Sequence, residues 1–263
     1  MRNHPSLFFL CLLVAPSVFC QSPYQLNWKK EAALTTFGLG TLAGAFLISN
    51  GVEPLSLEAI AAADRRDVNS FDRDATDNSS GQAHKASNYF LYSSQFLPVV
   101  FLAGHRSKKE LGQIAVMAFE TTTITSGLTM LTKNLVLRSR PYVYNGDVPL
   151  SDKTNINARY SFFSGHVALV AGTSFLTARI YADFHPESKW RPAVWGLAAT
   201  LPAVTAYLRV QGGKHFPTDV AAGYAVGALT GYFIPRLHKS NKWKEKGLSF
   251  YGGPNSALVR WEF

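Results

Sequence analysis

Cysteine is nearly absent from the chain, which has only Cys11 and Cys20 among its 263 residues. Both fall in a segment typical of a secretory signal peptide, in which Arg2 precedes an apolar core from Leu7 to Val14. Cleavage after Cys20 would leave a mature chain without a thiol, which excludes disulfides and a cysteine nucleophile. Lipidation of Cys20 is the competing interpretation, and bulky Phe19 disfavours it because lipoprotein sites take a small residue there.

Acidic residues are also few, since 17 Asp and Glu stand against 26 Lys and Arg, giving a net charge of +9. A basic balance suits anionic partners, namely nucleic acid, acidic lipid surfaces or phosphate esters. The sequence has no nucleic-acid-binding module and no stripe of interleaved basic and aromatic residues. We therefore expect no nucleic acid partner, and a lipid or a phosphate ester remains.

Strand-like alternation is missing until the last segment of the chain, and apolar segments of helical length alternate with polar connections instead. This pattern predicts an all-α domain over residues 21–246, after the signal peptide at 1–20. In the tail, 247–263, two short alternating runs around a Gly-Gly-Pro-Asn turn favour a small β-hairpin. The six predicted helices are Ala32–Ser49, Ser87–Ala103, Leu111–Leu137, Gly165–Phe184, Pro192–Arg209 and Phe216–Leu237.

A polar connection, residues 50–85, separates the first two predicted helices and contains an acidic run from Asp72 to Asp77. The run resembles part of a calcium loop, but no carboxylate occupies the closing position. We therefore expect a solvated loop.

The segment from Arg209 to Asp219 brings Arg, Lys, His and Asp together between two apolar segments. A Gly-Gly pair breaks the preceding segment, and Pro217 suits the first turn of the next helix. If that helix begins near His215, Asp219 lies one turn later on the same face, where its carboxylate can orient the imidazole. A cationic turn with a helix-capping Asp is the alternative.

Two further segments carry similar chemistry. Lys133 and Arg140 stand seven residues apart at the end of the third predicted helix, so both are expected to project from one face. Pro141 disfavours helical geometry at Arg140 and puts it at or near the helix end. Ser164 directly precedes the fourth predicted helix and His166 lies in its first turn, where free backbone N–H groups favour an anion site. Basic residues decorating a helix terminus and an ordinary Ser N-cap are the respective alternatives.

Together the three segments resemble the signature of the type 2 phosphatidic acid phosphatase and vanadium haloperoxidase superfamily. That signature is Lys, six residues, Arg-Pro; then Pro-Ser-Gly-His; then Ser-Arg, five residues, His, three residues, Asp. The chain departs from it with Phe163 for Pro and Leu208 for Ser, neither of which replaces a charged or nucleophilic group. The matching residues are Lys133…Arg140-Pro141, Ser164-Gly165-His166 and Arg209…His215…Asp219.

The resemblance implies a six-helix bundle of the acid phosphatase/haloperoxidase type that hydrolyses phosphate esters without a metal or other cofactor. It makes His215, oriented by Asp219, the nucleophile that forms a phosphohistidine, and His166 the acid that protonates the leaving group. Vanadate is expected to inhibit. The phosphate-binding residues it implies are Lys133, Arg140, Ser164, Gly165 and Arg209.

Membrane placement stays open at the level of sequence. Ala32–Ser49 is apolar enough to cross a membrane, which takes about 20 residues, but Glu120 and Arg179 fall inside helices and the mean hydropathy is only +0.00. The distribution of cations puts His215 on the periplasmic side of a bacterial membrane. The first helix would then begin in the cytoplasm, which a cleaved signal forbids, so an integral membrane bundle and a soluble periplasmic one remain alternatives.

The expected partner is a phosphorylated lipid or a small phosphate ester, and the expected location is the bacterial cell envelope with the active site facing the periplasm. Lipid-linked monoesters or pyrophosphates are the leading substrates. A soluble periplasmic acid phosphatase of broad specificity, a vanadate-dependent haloperoxidase and a non-enzymatic phosphate-binding envelope protein are the alternatives.

Overall fold

A computed structural model describes residues 22–98, 108–240, 248–253 and 256–261. The predicted signal peptide, with both cysteines, and the basic segment 241–247 lie outside these ranges. The described chain is mostly helical, which confirms the predicted helical class. Its helices are α1 (Trp28–Ser49), α2 (Leu57–Ala61), α3 (Gly81–Ser94), α4 (Lys108–Val136), α5 (Leu150–Lys153), α6 (Gly165–Phe184), α7 (Arg191–Gln211) and α8 (Pro217–His238).

Local sequence explains where the helices differ from the prediction. The second predicted helix corresponds to α3, which begins at Gly81 rather than Ser87 because the Ser80 hydroxyl accepts from the Ala83 N–H and caps the helix there. The short helices α2 and α5, together with several 3₁₀ turns, lie in segments predicted as connections. In the tail, β1 (Leu248–Gly253) and β2 (Ser256–Trp261) pair antiparallel, and the turn residues 254–255 lie outside the described chain.

Helices α6 and α8 pack so closely that their backbones touch. Three glycines spaced four residues apart on α8 face α6, and a Cβ at Gly227 would lie 2.0 Å from the carbonyl oxygen of Ala168. A Cβ at Gly223 would lie 2.5 Å from the carbonyl oxygen of Ser164. Small residues at this spacing allow helices to approach closely. The low content of large apolar side chains in α8 is thus a packing feature, and it fixes Ser164 against the start of α8.

Three helical segments are long and apolar enough to cross a membrane, namely α1, residues 110–144 and α7. Large apolar side chains on them face outward: Leu47 is 70% exposed and Tyr207 64% exposed. Such surface suits contact with lipid. Glu120, which argued against a span in α4, is fully buried inside the bundle, where intramembrane carboxylates are normally found. The length, the composition and the outward apolar side chains of these helices suit a membrane protein.

Candidate active site

The loop between α7 and α8 carries His215 into the interior. Gly213 has a φ of 62° in the left-handed region, and a Cβ there would lie 2.1 Å from the carbonyl oxygen of Asn78. Both the backbone angle and the space therefore require glycine. The chain turns at this point and α8 begins at Pro217, as the sequence predicts. His215 is left only 1% exposed, just before the helix.

A backbone carbonyl orients His215. Its Nδ1 lies 2.7 Å from the carbonyl oxygen of Ser161, to which it donates, whereas the nearest oxygen of Asp219 is 3.8 Å away. The expected direct contact between His215 and Asp219 is therefore too long for a hydrogen bond. The Ser161 carbonyl fixes the tautomer instead and leaves the lone pair on Nε2.

Asp219 caps helix α8 and also holds Ser161 and Arg138 by hydrogen bonds. Its Oδ2 accepts from the Phe216 N–H at 2.9 Å and from the Ser161 hydroxyl at 2.5 Å, while its Oδ1 accepts from Arg138 at 2.5 Å. The alternative role of a capping Asp is thus real. The carboxylate acts on His215 through Ser161, whose carbonyl it helps to hold in place.

Asp72 and Arg138 extend this hydrogen-bond network, because Arg138 donates to both Asp219 and Asp72. The sequence did not predict a role for either residue. Asp72 is fully buried, which corrects the expectation of a solvated acidic loop. It accepts from Arg138 at 2.8 Å and from the Thr218 hydroxyl at 2.6 Å. Burial alone would raise the pKa of Asp72, but hydrogen bonds from Thr218, Arg138 and Asn69 lower it. Within the acidic run, nothing in the sequence distinguishes Asp72 from its neighbours.

The three predicted cations lie on different parts of the chain: Lys133 on α4, Arg140 in the segment after α4, and Arg209 on α7. Lys133 lies in the last turn of α4 and donates to the Tyr160 carbonyl at 2.5 Å. Arg140 does not share a helix face with it, which corrects that prediction: α4 ends at Val136 and Leu137 has a φ of 49°, so Arg140 is extended. Arg209, in the last turn of α7, contacts His84 Nδ1 at 2.9 Å and is 2% exposed.

Three buried donors of the candidate site have no hydrogen-bond partner among the described residues: Ser164 Oγ, Arg140 Nε and Arg209 Nε. Ser164 occupies the N-cap position of α6, but its side chain does not cap the helix. The ordinary N-cap interpretation of Ser164 is therefore wrong. Buried polar groups are nearly always hydrogen-bonded, and free donors at a positive helix end beside two guanidinium groups suit an anionic ligand.

Burial and these cations keep both histidines neutral. The pKa of His215 is held well below its ordinary value by burial and then by Lys133, Arg140, Arg209 and His166. Burial, followed by Arg209 and Arg140, lowers the pKa of His166 to about 3. The Nε2 of His166 lies 2.8 Å from Oδ1 of Asn88, to which it donates. Lys133, Arg140 and Arg209 are near enough to both histidines to lower their pKa values, so the predicted cations and histidines lie around one site.

A cavity of about 270 Å³ adjoins this site. His84 joins the two, because it lines the cavity and contacts Arg209. The ammonium of Lys214 lies 4.6 Å from the ring centre of Tyr142 at the cavity wall. Burial and then Arg140 and Arg209 lower the pKa of Lys214. The lining is mostly polar: Ser79, Ser80, Gly81, His84, Tyr142, Asp147, Val148, Pro149, Asp152, Gly212 and Lys214.

Residues 114–243 match the family model of the PAP2 superfamily. This range includes all the candidate site residues, from Lys133 to Asp219. The chain belongs to this superfamily, as the three sequence motifs predict.

Among individual proteins, the chain is similar to the lipid A 4'-phosphatase of Porphyromonas gingivalis, with 30% identity over 88 residues. The match covers 32% of this chain and 34% of the relative, so the chain spans about a third of the relative's length. A solved structure, the transmembrane PAP2-type phosphatidylglycerolphosphate phosphatase of Bacillus subtilis, is similar with 17% identity and a TM-score of 0.40. That similarity covers 77% of this chain and 96% of the solved one.

Proposed function

We propose that this protein is a membrane phosphatase that hydrolyses a phosphate monoester or pyrophosphate carried on a lipid, through a phosphohistidine on His215. One observation carries the proposal. Among the described residues, Ser164 Oγ, Arg140 Nε and Arg209 Nε are buried donors without a partner. Arg140 and Arg209 lie near a neutral His215, whose ring proton on Nδ1 leaves a lone pair on Nε2. This combination serves a tetrahedral anion that is attacked by nitrogen.

Binding comes first, because a phosphate dianion repels nucleophiles until its charge is neutralised. Lys133, Arg140 and Arg209 supply that charge, and the guanidinium groups donate to the equatorial oxygens through their planar forks. The Ser164 hydroxyl and the Gly165 N–H donate from the start of α6. These groups are present before substrate arrives, so little reorganisation accompanies the reaction.

Chemistry then follows in two displacements. The Nε2 of His215 attacks phosphorus in line, the bond from phosphorus to the leaving oxygen breaks, and His166 gives that oxygen a proton. In the second step His166 takes a proton from water as the water oxygen attacks phosphorus and the P–N bond breaks. Phosphate is released and both histidines return to their initial state. The three cations fill the charge-neutralising role that metal ions have in other phosphoryl transfer enzymes.

A lipid-linked substrate is supported by the outward apolar faces of α1 and α7 and by the similarity to a relative named as a lipid A 4'-phosphatase. The polar cavity beside Arg209 suits a hydrophilic headgroup next to the phosphate. We place the site at the periplasmic face of the bacterial envelope, since exposed Lys189 and Arg191 lie at the opposite end of α7 from Arg209.

The test is phosphate release by the purified full chain in detergent from phosphatidate, phosphatidylglycerol phosphate, lipid A and p-nitrophenyl phosphate. His215→Gln is expected to abolish release from every substrate. The matched control is His185→Gln, since His185 is exposed at the end of α6, and it should keep wild-type activity. A His215→Gln protein within a few-fold of wild type would refute the mechanism, whereas equal rates on lipid and soluble esters would favour the broad acid phosphatase.

A further inference from the structure

A second cluster of titratable side chains lies at the far end of α8 from His215. His238 is the last residue of this 22-residue helix, which puts it roughly 30 Å from the catalytic end. Its Nε2 lies 2.6 Å from Oε2 of Glu31, on the first turn of α1, and 3.3 Å from Oε2 of Glu120 on α4. The proposed phosphatase reaction uses none of these residues.

The tautomer of His238 makes this arrangement informative. Its Nδ1 lies 2.7 Å from the carbonyl oxygen of Ile234, which can only accept, so the ring proton sits on Nδ1. The neutral ring then turns the Nε2 lone pair toward two carboxylate oxygens. Three electron-rich atoms at such distances repel one another unless a cation lies among them.

Glu120 supplies independent evidence for a ligand. Its side chain is fully buried, and neither carboxylate oxygen accepts a hydrogen bond from a donor among the described residues, although the Glu31 carboxyl is close enough to share a proton with it. An unsatisfied buried carboxylate is among the most costly groups a protein can contain. Ionisable residues inside a membrane-spanning helix are retained mainly where they serve a site.

We propose that Glu31, Glu120 and His238 bind a divalent transition-metal ion of the Zn²⁺ type. The three ligand atoms lie within 4.8 Å of one another. Around a tetrahedral zinc ion, ligand atoms are roughly 3.3 Å apart. The 3.3 Å separation of His238 and Glu120 already matches, and the 2.6 Å separation of His238 and Glu31 needs to widen slightly.

The surroundings of the cluster agree with a metal site. Two of the ligands are held by their other polar atom, as metal ligands commonly are: His238 by the Ile234 carbonyl, and Glu31 by the Asn27 N–H, which donates to Oε1 at 2.8 Å. Glu31 is 18% exposed and offers a path for the ion. The nearby Lys30 donates to the Leu237 carbonyl. Because the ligands come from three helices, the ion ties α1, α4 and α8 together.

The competing occupant is a proton, which would either make His238 an imidazolium or be shared between the carboxyl groups of Glu31 and Glu120. Metal analysis separates the two, using the full chain in detergent, purified without an oligohistidine tag, incubated with Zn²⁺ and desalted. We expect about one zinc ion per chain and a melting temperature that rises roughly 5–10 °C when Zn²⁺ reaches about a hundred times its Kd.

Substitutions locate the ion. Glu120→Gln and Glu31→Gln should each lose the bound zinc and the thermal shift, and Glu31→Gln guards against a folding defect because its side chain is partly exposed. The matched control is Glu58→Gln, on the exposed helix α2, which should keep both. Absence of stoichiometric zinc in the folded wild type, or full binding by the Glu120→Gln and Glu31→Gln proteins, would overturn the proposal and leave the proton as occupant. Phosphate release by His215 is measured separately and does not depend on this result.

Discussion

Anion binding is expected to drive a proton onto His166. Burial together with Arg209 and Arg140 lowers the pKa of this ring to about 3, so it is neutral near pH 6 when the site is empty. The general acid of the proposed reaction must nevertheless carry a proton when the substrate is bound. Binding of a doubly charged anion must therefore raise the pKa of His166 and take up a proton from solvent.

The free energy needed to raise the pKa of His166 can be compared with the electrostatic attraction that a bound dianion provides. Raising the pKa from about 3 to the ordinary value near 6.5 takes roughly 5 kcal/mol, at about 1.4 kcal/mol per unit. Two negative charges about 4 Å from the ring supply roughly 8 kcal/mol at an effective dielectric constant near 20. The attraction exceeds the requirement, so about one proton is expected to bind with the anion. Because the pKa is higher in the complex, affinity falls as pH rises, by about tenfold per unit between the two pKa values.

Sulfate is a suitable probe because it is a tetrahedral dianion that does not titrate in this range. Calorimetric titration at about pH 6, in two buffers with different heats of ionisation, gives the number of protons taken up. The wild type should take up about one proton, and His166→Gln should take up about none. His84→Gln is the matched control, since His84 is another partly buried ring beside Arg209, with a pKa lowered to about 4.

Two outcomes contradict this reasoning. If wild type binds sulfate with no proton uptake, His166 stays neutral beside an anion and cannot be the acid. If His84→Gln rather than His166→Gln removes the uptake, the proton goes to the cavity wall and the roles of the two rings must be exchanged.

Three further predictions concern the frame of the site. Asp219→Asn should lower kcat about 10–100-fold, because the Ser161 carbonyl, and not Asp219, orients His215. A wrong tautomer lowers kcat roughly 10⁴-fold, so a loss of that size in steady-state kinetics would contradict this prediction. Asp72→Asn should lower both the melting temperature and kcat, whereas Asp74→Asn, in the exposed part of the same run, should change neither. Gly227→Ala should lower the melting temperature by several degrees, and Gly44→Ala, which has open space around its Cα, should not; equal melting curves would refute the close α6–α8 contact.

The sequence predicted those parts of the site whose constraint is local. Pro217 marks the start of α8, the Gly-Gly pair marks the turn before His215, and Gly165 opens α6 where the apolar periodicity begins. Each of these residues acts on its own backbone or on the next turn, so one stretch of chain contains the information. The motif spacings carried the cations as well, although the chain path from Lys133 to Arg140 differs from the predicted one.

The parts of the site that the sequence did not predict depend on contacts between distant segments of the chain. Asp72 becomes a buried partner of Arg138 only when the connection after α2 folds over the start of α8. Glu120 looks like an obstacle to a membrane span until α8 brings His238 beside it. A pattern of charge and hydropathy along the chain does not record such pairings, because each partner has an ordinary environment in its own segment.

The α6–α8 contact connects these observations. Reaction geometry tolerates little displacement, and a misplacement of about 1 Å can cost about a hundredfold in rate. Ser164 is the N-cap residue of α6 and His215 precedes α8, so the separation of donor and nucleophile is set by how closely the two helices approach. Gly223 brings the backbone of α8 against Ser164 itself, and the Ser164 N–H donates to the Asp219 carbonyl at 3.0 Å. The three glycines of α8 that face α6, Gly223, Gly227 and Gly231, therefore matter to catalysis as well as to packing. A side chain at Gly223 would separate Ser164 from His215 and lower kcat even in a protein that still folds.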